Sequence, residues 1–115
     1  MHELSLVQGI LEAVLEQAET YQIKKIEKVK IVVGEMTSAM PEALQFAFEV
    51  LSRDTFTSAR EAVLEIENRP VKLICRDCHL VFMPEGLKYS CSQCISSRTD
   101  ILEGRELFVE YFEGE

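Results

Sequence analysis

Apolar residues near the start of the chain recur at helical spacing, with Leu4, Val7, Leu11, Val14, Leu15 and Ala18 falling on one face. The spacing predicts an amphipathic helix over about residues 3–21. Gly9 weakens it by up to ~1 kcal/mol relative to alanine without breaking it. Leu6 and Ile10 lie off the apolar face. The pattern then changes period. Ile26 to Val33 reads as a strand with Val29, Ile31 and Val33 on one side, and Gly34 ends it. Pro41 suits a first helical turn, where its missing N–H has no intrahelical partner to lose. It opens a second helix with Leu44, Ala47, Phe48 and Leu51 on one face and Phe46 and Val50 off it. Ala62 to Glu67 reads as another strand, stopped by Asn68-Arg69-Pro70. In the closing stretch from Glu106 to Phe112, Leu107, Val109 and Tyr111 alternate with Phe108, Glu110 and Phe112, the signature of a last strand.

Helix, strand, helix, strand, a cysteine segment and a strand make an α+β protein, with two helices on a three-stranded sheet and a small zinc-ribbon-like domain inserted. The expected division is residues 1–70 plus 102–115 for the α+β domain and 71–101 for the insertion. The inserted segment is rich in polar turns, and pieces such as Val81-Phe82-Met83 are too few to build a core. A module of fewer than ~40 residues usually needs a metal or crosslinks to stay folded.

The four cysteines supply that metal site. They stand as Cys75-x2-Cys78 and Cys91-x2-Cys94 with twelve residues between the pairs. Four thiolates close a tetrahedral shell around Zn(II) and leave no position for a reacting water, so the site reads as structural. Disulfides and a redox dithiol pair are the rivals. The start of the chain lacks a basic region followed by an apolar one, so no secretory signal is expected and the protein is placed in the cytoplasm. There thiols stay reduced, which favours metal.

Net charge is −8, which disfavours nucleic acid as a partner because phosphate binding needs a basic surface. Lys24, Lys25, Lys28 and Lys30 form a local basic stretch, read as the solvated edge of a strand. No apolar run reaches the ~18–20 residues that span a bilayer, so no membrane role is expected. Neither a nucleophile–base pair nor a phosphate-cradling glycine loop nor an HExxH run appears, so the chain reads as no enzyme.

Only two histidines occur, His2 and His79. A bulky residue at position two keeps the initiator methionine, so the Met1 amine, nearby amide nitrogens and the His2 imidazole can chelate one ion in small rings. Such donors suit Ni(II) or Cu(II), and Glu3 adds a carboxylate as ligand or as support for the imidazole. The plain alternative is a frayed helix start, with Glu3 complementing the helix dipole. His79 follows Cys78, where the filled thiolate shell leaves it facing solvent. Leu6, Ile10, Phe46 and Val50 either pack on the sheet or dock a partner or a second copy of the chain in a homodimer.

Taken together, Met1-His2-Glu3-Leu4-Ser5, Val33-Gly34-Glu35, Pro41-Glu42-Ala43-Leu44-Gln45-Phe46-Ala47-Phe48, the paired CxxC motifs and Gly104-Arg105-Glu106-Leu107 resemble the HypA/HybF family of hydrogenase nickel-incorporation proteins over essentially the full length. The resemblance implies a nickel-binding α+β domain, a small zinc domain, and a metallochaperone delivering Ni(II) as cargo to the [NiFe]-hydrogenase large subunit precursor during maturation. It implies a nickel-handling GTPase as partner, and some members also serve urease maturation proteins. His2 matches the family's nickel ligand, assisted by the Met1 amine and backbone nitrogens, and Glu3 the adjoining acidic position. Cys75, Cys78, Cys91 and Cys94 match the four zinc ligands. Members often carry histidine or glycine just after the second cysteine pair, where this chain has Ile95. The alternative class is a zinc-ribbon adaptor that joins proteins and has no nickel function.

Overall fold

A computed structural model describes residues 3–115 of the chain. Two helices, α1 (Glu3–Thr20) and α2 (Pro41–Asp54), alternate with strands β1 (Ile26–Gly34) and β2 (Val63–Arg69). Three strands of the cysteine segment follow, β3 (Lys72–Cys75), β4 (Val81–Phe82) and β5 (Thr99–Glu103), before β6 (Leu107–Gly114). The strands form two three-stranded sheets, ordered β2-β1-β6 and β4-β3-β5. The α+β architecture expected from the periodicity is present, with Pro41 at the start of α2.

The first compact unit extends to Val32 and takes in Ala39–Glu67 and Phe108–Glu115. Its core is built from Val7, Leu11, Val14 and Ala18 of α1, Ile26, Val29, Ile31 and Val32 of β1, and Leu44, Ala47 and Phe48 of α2. Each of the valine, leucine, isoleucine and phenylalanine side chains contributes roughly 1.5–3 kcal/mol on burial, the alanines less. One helix position departs from the pattern: Leu4 shares the periodic face yet stays 50% exposed, because it lies in the first turn, at the end of the packed stripe. Of the four off-face residues, Leu6, Ile10 and Val50 are half-buried, whereas Phe46 stands exposed on α2.

Ion pairs Lys25–Glu61, Lys28–Glu65 and Lys30–Glu67 advance together along β1 and into β2, so these strands run parallel. The α2 crossover provides the long connection that parallel pairing needs. Lys25 exchanges backbone hydrogen bonds with Glu115, and Gly34 N–H donates to the Glu106 carbonyl, which sets β6 antiparallel to β1. Three members of the basic stretch are therefore spent on carboxylates. Lys30 also pairs with Glu110. Such solvent-facing pairs contribute little each.

The second unit comprises Val33–Ser38 and Asn68–Leu107. The cysteine segment shares a small core with the end of β1. Val33, Val71, Leu73, Cys75 and Cys91 are all buried, and β3 alternates half-buried Lys72 and Ile74 with buried Leu73 and Cys75. A three-stranded antiparallel sheet with Leu73 opposite Phe82 and Ile101 supplies the partners. Short strands separated by turn residues hide this pairing from any local reading of the sequence.

Candidate metal centre

Each cysteine pair occupies a tight turn of the same construction. In the first, Cys75 N–H donates to the Leu80 carbonyl and His79 N–H donates back to the Cys75 carbonyl at 2.9 Å. In the second, Cys91 N–H donates to the Ser96 carbonyl and Ile95 N–H to the Cys91 carbonyl at 3.0 Å. The residue after each pair is left-handed, His79 at φ 64° and Ile95 at φ 64°. Two knuckles of one geometry thus face each other.

Their four sulfurs lie within 4.8 Å of one another. Cys75 Sγ is 3.5 Å from Cys94 Sγ, and Cys78 Sγ is 3.5 Å from Cys91 Sγ. A tetrahedron with Zn–S bonds of about 2.3 Å has edges of about 3.8 Å, so the spacing fits one Zn(II) and all four cysteines are unbridged. Amide N–H groups of Cys94 and Gln93 point at Cys91 Sγ from 3.4 Å, and that of Cys78 at Cys75 Sγ from 3.5 Å. The Cys94 amide is the main influence holding the Cys91 thiol down to about 6, and the Cys78 amide lowers Cys75 likewise. At Cys94 the Ser96 amide pulls downward, but crowding by Cys75, Cys78 and Cys91 together with burial pushes the thiol up to about 12. A metal ion resolves that conflict, because its charge makes four adjacent thiolates compatible. When bound, Zn(II) supplies a crosslink with no open coordination position.

Polar residues around the knuckles were not anticipated from the sequence. Asp77, inside the first knuckle, accepts hydrogen bonds from Ser96 Oγ and from Arg98 Nη1 (3.1 Å), both just past the second. Arg76 makes a bidentate pair with Asp100 at 2.8–3.0 Å, which lowers the Asp100 carboxyl below its ordinary range. These bonds tie the knuckles together independently of the sulfurs. The Arg-Asp dipeptide between Cys75 and Cys78 was the available signal. His79 is exposed and stands outside the sulfur cluster.

Ile95 is the strained member of this centre. Left-handed backbone costs a non-glycine residue roughly 1–2 kcal/mol, most for β-branched side chains. Because Ile95 is 80% exposed, little packing offsets that strain. Ile95→Gly is expected to stabilise the zinc-loaded protein by about 1 kcal/mol after allowing for glycine's greater freedom when unfolded. Chemical denaturation checks this: a raised midpoint is expected, while a lowered one means that the Ile95 side chain is held by contacts worth more than the strain.

At the other end of the chain, Met1 and His2 lie outside the described residues, so the nickel-ligand reading of His2 has no geometry here. Glu3 begins α1, and its Oε2 accepts a hydrogen bond from the Met40 N–H, 3.4 Å away at the start of α2.

The fold and the centre together define a small α+β metalloprotein with a tetrathiolate unit inserted before its last strand. Residues 1–114 match the family model described as "Hydrogenase/urease nickel incorporation, metallochaperone, hypA". The chain belongs to this HypA family. It is 40% identical to the hydrogenase maturation factor HypA of Desulfitobacterium hafniense over 100% of this chain and 99% of that protein. It is 37% identical to that of Moorella thermoacetica, with full coverage of both chains. The solution structure of the Ni metallochaperone HypA from Helicobacter pylori superimposes with a TM-score of 0.68 at 32% identity, covering 99% of this chain and 97% of that one. A second HypA solution structure gives a TM-score of 0.73, also at 32% identity. The family is one of metallochaperones for hydrogenase and urease nickel incorporation, and the cysteine cluster fits its structural zinc site. Among the described residues, no helix is long and apolar enough to cross a membrane.

Proposed function

We propose that this chain carries Ni(II) at its N-terminus and hands it, with a nickel-handling GTPase, to the large subunit precursor of a [NiFe]-hydrogenase in the cytoplasm. The observation that carries the reading is the family match from residue 1 to residue 114, which includes the Met-His-Glu start. His2 is the side-chain ligand in this proposal, assisted by the Met1 amine and local amide nitrogens. The protein performs no catalysis. The Met40–Glu3 hydrogen bond supports a positioning role for Glu3, since it ties the first turn of α1 to the start of α2. Zn(II) held by Cys75, Cys78, Cys91 and Cys94 maintains the second unit. Its filled shell suits a scaffold, whereas a cargo site must exchange its metal. Service to urease maturation proteins and a homodimeric state belong to the same proposal.

Calorimetric Ni(II) titration of zinc-loaded protein with an unextended N-terminus tests it beside His2→Ala. One Ni(II) site is expected in the parent, weakened at least about 100-fold in the variant while zinc content and helicity stay unchanged. A site of equal strength in both proteins sinks the His2 assignment. With no nickel site in either, a zinc-ribbon adaptor becomes the better reading.

A further inference from the structure

The β2-β1-β6 sheet treats its two edges differently. At the β2 edge, Gln45 Nε2 from α2 donates to the Leu64 carbonyl at 2.7 Å, and Pro70 directly follows the strand. Both devices make an edge a poor template for another strand. The β6 edge has neither. Its eight residues, LFVEYFEG, include no proline, lysine or arginine, and Phe108 and Tyr111 remain exposed. β6 pairs with β1 on one side, so alternate β6 residues turn their N–H and C=O away from β1. Among the described residues no strand lies on that outer side.

A groove of ≈ 370 Å³ runs beside this edge, lined by Ala13, Val14 and Gln17 of α1 and by Val109, Tyr111 and Phe112 among the β6 residues. Lys28 and Lys30 lie 5.5 and 5.9 Å from the Tyr111 ring, where Lys30 pairs with Glu110, and carboxylates flank the α1 side. Glu12 and Glu16 directly precede the lining residues Ala13 and Gln17, α1 contains no lysine or arginine, and Glu110 and Glu113 lie on β6. Acidic and basic residues balance within the second unit, so the formal charge of −8 resides in the first.

We infer that β6 is a docking edge for an extended, basic segment of a protein partner, which adds a fourth strand antiparallel or parallel to β6. Main-chain hydrogen bonds to the outward-facing residues of β6 would hold the segment, alternate apolar side chains would enter the groove, and lysine or arginine side chains would face the α1 and β6 carboxylates. Charge selects this occupant over a second copy of the chain, because pairing β6 with β6 brings two acidic units together.

The test uses full-length, zinc-loaded, 15N-labelled protein and three blocked nine-residue peptides. One alternates valine and lysine, one replaces every lysine with glutamate, and one places proline at the centre of the first. The valine–lysine peptide is expected to shift β6 and Ala13–Gln17 resonances saturably and to slow exchange at least about tenfold at the alternate β6 amides that face away from β1. The proline peptide should bind at least about tenfold more weakly and the glutamate peptide not at all. Shifts scattered over the acidic surface, with exchange along β6 unchanged, overturn the proposal. So does equal binding by the proline peptide. Protection of those amides in a peptide-free dimer also overturns it, by assigning the edge to a second copy.

Discussion

Withdrawing zinc, by chelation or by Cys91→Ser, is expected to unfold the second unit while the first keeps its helices. The sulfurs of Cys75 and Cys91 are buried at the inner corners of the two knuckles, and each receives amide hydrogen bonds from its own turn. Without a metal, these turns must accommodate thiolates and thiols at 3.5 Å with no positive charge between them. Structural zinc sites of this kind carry roughly 10–16 kcal/mol of apparent binding free energy at neutral pH, and that free energy is folding free energy. The apolar support is small, since only Val33, Val71, Leu73 and the two buried cysteines are fully enclosed in this unit. The Asp77–Arg98 and Arg76–Asp100 pairs are exposed and screened by solvent, so each contributes little. Amide dispersion across residues 68–107 should collapse on zinc removal, while α1 and α2 retain their protection from exchange. A metal-free protein with well-dispersed resonances throughout would show that the cysteines do not serve as structural ligands.

Gly34→Ala is expected to cost about 3–5 kcal/mol, although the backbone at Gly34, with φ −76° and ψ 146°, is open to any residue. The constraint is space. A Cβ built there lies 2.2 Å from the Gly104 carbonyl oxygen, 2.3 Å from its carbon and 2.7 Å from the Arg105 nitrogen. All three are backbone atoms, so no side chain can rotate out of the way. Separating the segments strains the packing by roughly 1–3 kcal/mol. It also loosens the Gly34–Glu106 and Met36–Gly104 backbone hydrogen bonds, at about 1 kcal/mol each. Gly9→Ala makes the control, because nothing lies within 4 Å of its added Cβ and α1 gains from the better helix former. Urea denaturation should therefore move in opposite directions for the two alanines. A Gly34→Ala protein as stable as its parent would mean that these segments separate without cost.

Much of the fold was legible locally. The α1 stripe from Val7 to Ala18, the proline at the head of α2 and the alternation in β6 each declare themselves within one element, because burial of one face imposes a period on the residues that make it. The metal centre was legible for a different reason: a thiolate site needs its donors at knuckle spacing, and that spacing is local. Phe46 shows where period alone fails. It lies off the α2 face, and only the packing decided that it is exposed rather than core.

Other features depend on partners distant in sequence. The small sheet of the cysteine unit pairs Leu73 with Ile101, and the knuckle clamp joins Asp77 to Arg98. Two segments that carry the family resemblance, Gly34-Glu35 and Gly104-Arg105-Glu106, proved to touch each other. Glu35 accepts from the Val71 amide, and Glu106 accepts from Gly104 and pairs with Arg69. From sequence alone this chain determined its helices, most of its strands and the chemistry of its zinc ligands, since each rests on neighbours a few residues apart. The tertiary structure alone decided which sheet edge stays open, why Gly34 admits no side chain, and that Ile95 bears a left-handed turn. Those properties follow from what the folded chain brings alongside each residue, and local periodicity carries no record of it.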